Sequence, residues 1–348
     1  MQTPWGFPDF DAHEALHFVH DAATGLRAII AVHSTHLGPA AGGTRFWHYA
    51  DDADALTDAL RLSRGMSFKN AMAGLPLGGG KAVILAPADR SKTPALLAAF
   101  GLAIDQLGGQ YVTAEDVGMS VSDMIEIARK TRFVAGLPVA GGAVGGDPGP
   151  HTSLGVFLGI KAAVKHALGK DSVAGLRIAL QGAGSVASGV AMHAAAEGAT
   201  LIIADVDGPR AQALATQVSG SVVDPAAILS TPADVVSPCA LGAILTEQSI
   251  AALKTPIVAG GANNQLATHA DGERIHARGI LYAPDYVINA GGIINVSTEY
   301  VRDGDASLVR QRIEAIPARL EQIWADSASS NRNPAEVADA MAMALIGR

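Results

Sequence analysis

Two lysines are candidates for proton transfer because their immediate neighbours carry almost no charge. Lys69 lies within Met66–Asn70, and Lys81 follows three consecutive glycines, Gly78–Gly80. Glycines let a backbone approach a ligand closely. A lysine that loses solvation beside another cation has its pKa lowered toward neutrality, which suits acid–base chemistry. Two surface lysines whose stems cover apolar segments would give the same pattern, so the lysines alone leave both readings open.

A pair of acids, Glu115 and Asp116, follows the short apolar run Tyr111–Thr113. Ligands of open α/β sheets bind at the carboxyl ends of the strands, so an acid placed there can exchange a proton with a ligand. The alternative is an N-cap for the next helix, a role that Ser120 or Ser122 can fill instead.

The segment Gly182–Ala187 is a G-x-G-x-x-A turn between the apolar run Arg177–Leu180 and a helical stretch. Its glycines allow a pyrophosphate to touch the backbone at a helix N-terminus. The next apolar run, Thr200–Ala204, is followed by Asp205, 23 residues after Gly182, where an acid meets adenosine ribose hydroxyls. This spacing predicts a dinucleotide site. The carboxylate favours NAD over NADP because it repels a 2′-phosphate.

Two asparagines, Asn263 and Asn289, also follow apolar runs and stand beside glycine pairs. Their carboxamides can donate to and accept from a cofactor amide. They can equally form Asx-turns, and the sequence does not separate these two possibilities.

The segment His13–His17 matches H-E-x-x-H, a zinc-protease pattern that requires a helix. Leu16, Phe18 and Val19 indicate the start of a strand instead. Residues four apart on a strand lie about 13 Å apart, too far for two ligands about 2 Å from one zinc ion. Zinc hydrolysis is therefore not expected. The single cysteine, Cys239, excludes a disulfide within the chain and is expected to be a small buried hydrophobe.

Apolar runs of strand length alternate with helical spacing along the chain, which predicts a parallel, doubly wound α/β sheet. The further predicted strands are Leu26–His33, Lys81–Ala86, Ser221–Val223, Asp234–Val236, Pro256–Ala259 and Gly279–Tyr282. Helical spacing is clearest in Asp51–Met66 and Thr93–Leu107, and it continues from Ala306 onward. Residues 141–150 contain five glycines and two prolines, a composition typical of a loop or hinge.

Length and composition restrict the class of protein. The chain has 348 residues, enough for two domains, with 49% apolar residues, 17% charged residues and a net charge of −8. No basic stripe is present for a nucleic acid. Neither a secretory signal nor an uninterrupted membrane span can be read from the sequence. We therefore expect a two-domain cytoplasmic protein with no nucleic-acid or membrane partner.

Six blocks, in the same order along the chain, resemble the amino-acid dehydrogenase superfamily, and most closely its leucine, valine and phenylalanine dehydrogenase branch. These blocks are Gly38–Arg45, Lys69, Gly78–Lys81, Thr113–Gly118, Ala262–Gln265 and Tyr286–Gly292. The resemblance implies an N-terminal α/β substrate and oligomerisation domain (residues 1–140), a Rossmann-type NAD-binding domain (141–325) and a C-terminal helix (326–348) that packs on the first domain. The active site is then expected in the interdomain cleft.

The resemblance also implies roles for individual residues. Lys69 would pair with the substrate carboxylate, Lys81 would be the catalytic lysine, and Asp116 would exchange protons with the amino group. The residues implied at the substrate are Gly42, Gly43, Ala41, Ala114, Asn289, Ile293 and Val296. Those implied at NAD are Gly182, Gly184, Ser185, Val186, Asp205, Cys239, Ala240, Ala262, Asn263 and Asn289.

The activity implied is reversible NAD-dependent oxidative deamination of an apolar L-amino acid to a 2-oxo acid and ammonia, by a homo-oligomer. Leucine-preferring members tend to carry a bulkier residue where Ala41 stands, so the side chain accepted here is expected to be large. A glutamate-type enzyme would need an extra cation, whereas Ala41, Ala114, Ile293 and Val296 are apolar. The other alternative is a dinucleotide-binding homologue that has lost catalysis. The presence of Lys69, Lys81 and Asp116 argues against it.

Overall fold

The structure is a computed structural model that describes residues 3–138, 146–301 and 304–348. These divide into two compact units. The first unit comprises Met1–Gly146, Val296–Ala306 and Ala342–Arg348, and the second comprises Asp147–Asn295 and Ser307–Met341. The C-terminal segment 326–348 is therefore shared between the units. Half of the glycine-rich segment predicted as a hinge, residues 141–145, lies outside the described residues.

The first unit is built on a five-stranded sheet. Its strands are β1 (Ala15–Asp21), β2 (Leu26–Ser34), β3 (Ala40–Trp47), β4 (Gly78–Leu85) and β5 (Tyr111–Glu115). The spatial order is β1-β2-β4-β3-β5, with β3 parallel to both of its neighbours and β2 antiparallel to β1 and β4. Its helices are α1 (Asp52–Met72), α2 (Pro94–Gln106) and α3 (Val121–Ala128), and a short 3-10 helix spans Pro4–Gly6.

Both faces of this sheet are covered, because side chains alternate along each strand. On one face Ile29, Ala31 and Val83 pack against Ala59 and Leu60 of α1. On the opposite face Ile30 and Ile84 pack in one cluster with Phe100 and Ile104 of α2 and Met124 of α3. The face under α1 is the one that carries the lysine and acid described below.

Two features of the first unit differ from the sequence prediction. Strand β3 was not predicted, because its Ala-Ala-Gly-Gly-Thr segment has no apolar run or alternation. Helix α1 continues six residues beyond the predicted end at Met66, which places Lys69 in its last turn. The H-E-x-x-H segment does lie at the start of a strand: His13 precedes β1 and His17 lies within it. The two imidazoles therefore do not share a helix face.

The second unit contains a six-stranded parallel sheet. Its strands are β6 (Arg177–Gln181), β7 (Thr200–Ala204), β8 (Ser221–Val222), β9 (Val235–Pro238), β10 (Ile257–Val258) and β11 (Leu281–Tyr282). The spatial order β11-β10-β9-β6-β7-β8 places the first two βαβ crossovers on one side of β6 and the rest on the other. This is the doubly wound order of dinucleotide-binding folds, and it confirms the predicted fold class.

Helices cover this sheet and complete the chain. They are α4 (Gly149–Leu168), α5 (Ser185–Ala196), α6 (Gly208–Gln217), α7 (Glu247–Ala252), α8 (His269–Ala277), α9 (Asp285–Ile288), α10 (Gly291–Val301), α11 (Ala306–Glu314), α12 (Ile316–Ser330) and α13 (Pro334–Leu345), with a 3-10 helix at Ile228–Ser230. The helical pattern predicted after Ala306 is thus confirmed. Among the residues described, no helix is long and apolar enough to cross a membrane.

Candidate active site

Lys81 lies on the α1 face of the first sheet, with 6% of its side chain exposed. Its ammonium group contacts Oδ2 of Asp116, which directly follows β5. The two residues belong to strands that flank β3, so the contact passes over the middle strand. Burial excludes the reading of Lys81 as a surface lysine.

Gly43 of β3 makes this contact over the strand possible. A Cβ atom at Gly43 would lie 2.7 Å from Cβ of Asp116 and 2.7 Å from the carbonyl oxygen of Glu115. Real Cβ atoms do not approach other heavy atoms that closely. The missing side chain therefore provides the space through which Asp116 reaches Lys81.

A second glycine brings helix α1 close to the same strand. A Cβ atom at Gly79 of β4 would lie 2.0 Å from the amide nitrogen of Ser67 in α1. The last turns of α1 therefore pack directly on the backbone of β4, which brings Lys69 into the electrostatic environment of Lys81. Gly42 is equally enclosed, since its Cβ atom would lie 1.9 Å from the carbonyl oxygen of Gly80.

Burial lowers the pKa of Lys81 from its ordinary value to about 7. The guanidinium of Arg45 and the ammonium of Lys69 act in the same direction, whereas the carboxylate of Asp58 opposes them. The contact with Asp116 also favours the protonated lysine, because the opposite charge is adjacent. A lysine with a pKa near 7 can both take up and release a proton under physiological conditions.

Asp116 is held in place from two sides. Its Oδ1 accepts a hydrogen bond of 2.7 Å from the amide of Val117, and its Oδ2 lies 3.5 Å from Nε of Arg45. The N-cap of α3 is Ser120, which forms a reciprocal capping box with Asp123. Asp116 is therefore not a helix cap, and its carboxylate is available to Lys81.

Three of the four residues expected around a substrate side chain lie in one apolar cluster of the first unit. Ala41, Ala114 and Val296 pack with the same group of apolar residues, which includes Leu77, Val112, Ala135, Tyr300 and Val301. The fourth, Ile293, belongs to the second unit. All members of this cluster belong to the first unit.

The glycine loop of the second unit connects β6 to α5, as the sequence predicted. Gly182 has a φ of +101°, and its Cβ atom would lie 3.1 Å from both Cβ of Ala240 and the carbonyl oxygen of Cys239. Gly184 is the N-cap of α5 and has no heavy atom within 4 Å of an added Cβ. The first turn of α5, which begins with Ser185 and Val186, thus presents free backbone amides to an anion.

Asp205 follows β7 and binds the same loop. Its Oδ2 accepts a hydrogen bond of 2.7 Å from the amide of Ala183, and its Oδ1 accepts one of 2.8 Å from the amide of Asp207. These bonds fix the carboxylate beside the glycine turn. Each oxygen retains a second lone pair for a ribose hydroxyl.

The two asparagines of the second unit bond to each other. The amide of Asn289 donates to Oδ1 of Asn263 at 2.7 Å and to the carbonyl oxygen of Gly261 at 3.1 Å. Oδ1 of Asn289 is buried and has no hydrogen-bond partner in the described part of the chain. A buried acceptor of this kind suits an amide or ammonium donor of a ligand. The geometry therefore favours the ligand-binding alternative over isolated Asx-turns.

Cys239 differs from its expected burial, since the residue is only partly buried in the loop that follows β9. Its Sγ accepts from the amide of Gly261 at 3.3 Å, and burial of the thiol raises its pKa. The protonated thiol is a poor nucleophile, so a nucleophilic role is not expected for Cys239. Ala262 lies in the next loop, where its amide donates to the carbonyl oxygen of Pro238 at 2.9 Å.

The sequence analysis missed three polar residues beside the lysine–acid pair: Arg45, Tyr49 and Asp58. Arg45 stands two residues after Gly43, so on a strand both residues would lie on the same face. This spacing indicates a shared face only if the segment has already been predicted to be a strand, and β3 was not predicted. Asp58 of α1 and Tyr49 have no local motif, and only the packing of α1 against the sheet brings them to Arg45.

Comparison with known proteins shows which family this chain resembles. Residues 13–133 match the family described as Glu/Leu/Phe/Val dehydrogenase, dimerisation domain, and residues 208–345 match Glutamate/Leucine/Phenylalanine/Valine dehydrogenase. The chain is 46% identical to leucine dehydrogenase of Bacillus subtilis over 312 residues, covering 89% of this chain and 85% of the relative. It is 42% identical to valine dehydrogenase of Streptomyces albus, covering 96% and 92%.

Among solved structures, L-tryptophan dehydrogenase from Nostoc punctiforme superposes with a TM-score of 0.85 at 39% identity, covering 96% of each chain. The sequence comparison and the structural comparison thus agree on the family. The chain belongs to the Glu/Leu/Phe/Val dehydrogenase family and is an amino-acid dehydrogenase.

Proposed function

We propose that the protein catalyses the reversible, NAD-dependent oxidative deamination of an apolar L-amino acid to its 2-oxo acid and ammonia. The observation that carries this proposal is the contact of buried Lys81 with partly exposed Asp116, on a sheet that also carries the apolar cluster around Ala41 and Ala114. The names of the relatives, which include leucine, valine and phenylalanine dehydrogenases, support the same class of substrate.

The charges of the first unit fit the steps of such a reaction. Lys69 holds the substrate carboxylate as an ion pair and thereby orients the α-carbon. NAD, when bound, would supply the hydride acceptor for that carbon. Neutral Lys81 then takes a proton from a water molecule as its oxygen adds to the substrate iminium carbon. The lysine cation that results stabilises the developing negative charge on that oxygen.

Asp116 completes the proton balance. It relays the proton that Lys81 took from water to the amino nitrogen of the carbinolamine, which leaves Lys81 neutral again and makes ammonia the leaving group. As the C–N bond breaks and the carbonyl forms, neutral Lys81 takes the hydroxyl proton. In the reverse direction protonated Lys81 polarises the carbonyl group of the 2-oxo acid. A lysine with a pKa of about 7 serves both directions.

The cofactor we propose is NAD rather than NADP. The fixed carboxylate of Asp205 accepts from ribose hydroxyls and repels a 2′-phosphate. The nearest following cation, Arg210, lies 3.2 Å from the carboxylate of Asp207 and is thus already paired. The buried acceptor of Asn289 and the open N-terminus of α5 fit the carboxamide and pyrophosphate ends of the cofactor.

The substrate side chain we propose is apolar and large. A charged side chain buried beside Ala41, Ala114 and Val296 would have no partner, so aspartate, glutamate and lysine should be very poor substrates. Each methylene group that fills the pocket contributes about 1 kcal/mol, which makes the preference graded. We also propose a homo-oligomer, because residues 13–133 match a dimerisation domain.

A panel of the protein L-amino acids with NAD and with NADP, followed by absorbance of the reduced cofactor, tests this proposal. We expect the highest kcat/KM with NAD and a large apolar amino acid, and we expect Ala41→Leu to shift the preference toward branched aliphatic substrates. Glutamate as the best substrate would contradict the apolar pocket. Binding of NADH without turnover of any amino acid would instead indicate the non-catalytic homologue.

A further inference from the structure

Lys81 must lose its charge during the proposed reaction. The negative charge of Asp116 then needs another cation to balance it. In the structure the Asp116 carboxylate is 22% exposed and contacts the Lys81 ammonium. If Lys81 becomes neutral, the carboxylate loses its contacting cation and keeps only a more distant one. Such a group would take up a proton or move away.

Arg45 stands at the other side of the same carboxylate oxygen. Its Nε lies 3.5 Å from Oδ2 of Asp116, is buried and makes no hydrogen bond to any residue that the structure describes. The opposite end of the guanidinium is fixed, since Nη1 donates to Oδ2 of Asp58 at 2.8 Å. Tyr49 donates to that same Asp58 oxygen at 2.6 Å.

The chemistry of the guanidinium suits a permanent partner. An arginine side chain does not lose its proton in proteins, whereas Lys81 titrates near neutrality. Arg45 lies on β3 between the strands of Lys81 and Asp116, so it can receive the carboxylate without any change in the backbone. Its anchor, Asp58, comes from α1 and is independent of both strands.

We propose that Arg45, anchored by Asp58, is a positioning residue that keeps Asp116 ionised and in place whenever Lys81 is neutral. Arg45 does not touch the reacting atoms. Asp116 pairs with Lys81 when the lysine is protonated, and it pairs with Arg45 when the lysine is neutral. The kinetic consequences of this proposal rest on the proposed function, but its effect on Lys81 does not.

Four charged groups surround Lys81, and they predict opposite effects of two substitutions. Arg45 and Lys69 lower the pKa of Lys81, Asp58 raises it, and Asp116 favours the cation by contact. Arg45→Gln should therefore raise the pKa of Lys81 by about one unit, a tenfold change in the protonation equilibrium. Asp58→Asn should lower it, because the anion is lost and Arg45 is released toward Asp116.

Trace acetylation with acetic anhydride across a pH series, with mass spectrometry of the Lys81 peptide, measures this pKa without any turnover. Arg45 and Asp58 line a surface pocket together with Arg61 and Asp54, and the last two residues provide matched controls. Arg61→Gln removes a cation whose side chain is 66% exposed, and Asp54→Asn removes an acid from the first turn of α1. Both controls should leave the titration of Lys81 unchanged.

The kinetic measurement separates positioning from loss of structure. With an apolar amino acid and NAD, Arg45→Gln should lower kcat by about 10- to 100-fold while the KM for the amino acid changes less than about threefold. Arg45→Lys, which keeps the charge, should recover part of kcat. Shifts of the Lys81 titration in the same direction in Arg45→Gln and Asp58→Asn, or no shift beyond the controls, would overturn the proposal.

Arg45→Gln and Asp58→Asn test the proposal separately. If Arg45→Gln fails to fold, the downward shift in Asp58→Asn still decides the question. If the wild-type protein titrates as described but turns over no amino acid, the proposed function fails while the role of Arg45 in holding Asp116 stands.

Discussion

The first unit builds its candidate site from charged side chains that meet across neighbouring strands, whereas the second unit builds its site from backbone amides and short polar side chains at strand ends. In the first, Lys81, Asp116 and Arg45 lie within one network and each changes the electrostatics of the others. In the second, Gly182 lies close to Ala240 and Cys239, Gly184 leaves open space at the N-terminus of α5, and Asp205 accepts from the amide of Ala183.

This difference has a consequence for how each site fails. Groups in one electrostatic network are strongly coupled, so the loss of one changes the protonation of the rest and lowers kcat. Backbone amides around a cofactor contribute mainly to binding, so their loss changes affinity. Substitutions in the first unit should therefore act on the chemical step, and those in the second unit should act on the KM for NAD.

The largest effect is expected at the lysines. Lys81→Ala removes the group that transfers the proton and stabilises the oxyanion, so kcat should fall by at least about 10² to 10³. Lys69→Ala removes the carboxylate anchor, so the KM for the amino acid should rise strongly, with a smaller loss of kcat. Steady-state kinetics separates the two outcomes. Unchanged turnover in Lys81→Ala would contradict the role of Lys81 in proton transfer.

The next largest effect is expected from Gly43→Ala. The added methyl group overlaps Cβ of Asp116 and the carbonyl oxygen of Glu115, so it should displace Asp116 from Lys81 and lower kcat at least about tenfold. Overpacking of this kind costs about 1–3 kcal/mol of unfolding free energy. Gly65→Ala is the control, because Gly65 lies inside α1 with no atom within 4 Å of an added Cβ. That variant should gain about 0.5–1 kcal/mol and retain kcat.

A pair of glycines in the second unit sharpens the contrast. Gly182→Ala places a side chain at a φ of +101° and should cost about 1–3 kcal/mol of stability together with affinity for NAD. Gly184→Ala has room for its methyl group in the structure, so its stability should change by less than about 0.5 kcal/mol. Its KM for NAD should nevertheless rise, since the methyl group occupies the approach of the pyrophosphate. Equal thermal unfolding of the two variants would contradict this reading.

The smallest effect is expected at Asp205. Asp205→Asn removes the negative charge but keeps one acceptor for the amides of Ala183 and Asp207. The ratio of kcat/KM with NAD to that with NADP should fall by about tenfold, because repulsion of the 2′-phosphate is lost. A wild-type protein that uses both cofactors equally would show that Asp205 does not set this preference.

The two regions also differ in how far their sequence revealed them. The G-x-G-x-x-A turn and Asp205 are local signals, because each follows a strand directly and the connections are short. Strand β7 was predicted with its observed bounds, Thr200–Ala204. In the first unit, Lys81 and Asp116 could be singled out as candidates, but their contact depends on the order β4-β3-β5, which no local pattern specifies.

Glycine explains much of what the sequence could not reveal. In β3, Gly42 and Gly43 remove the apolar alternation by which strands are predicted, and the same missing side chains create the space for Asp116. Because β3 went unpredicted, Arg45 had no assigned face. Asp58 lies in a helix that was predicted, yet its partner is fixed only by tertiary packing.

The most direct test of the account is the pH dependence of kcat/KM for oxidative deamination by the wild-type protein and by Lys81→Ala. Burial lowers the pKa of Lys81 to about 7, so the neutral lysine that accepts the proton predominates above that pH. We predict that kcat/KM of the wild type rises with pH and bends near pH 7, and that the residual activity of Lys81→Ala lacks this bend. A wild-type profile without an inflection near neutrality, or the same inflection in Lys81→Ala, would contradict the assignment of Lys81 as the proton-transfer group.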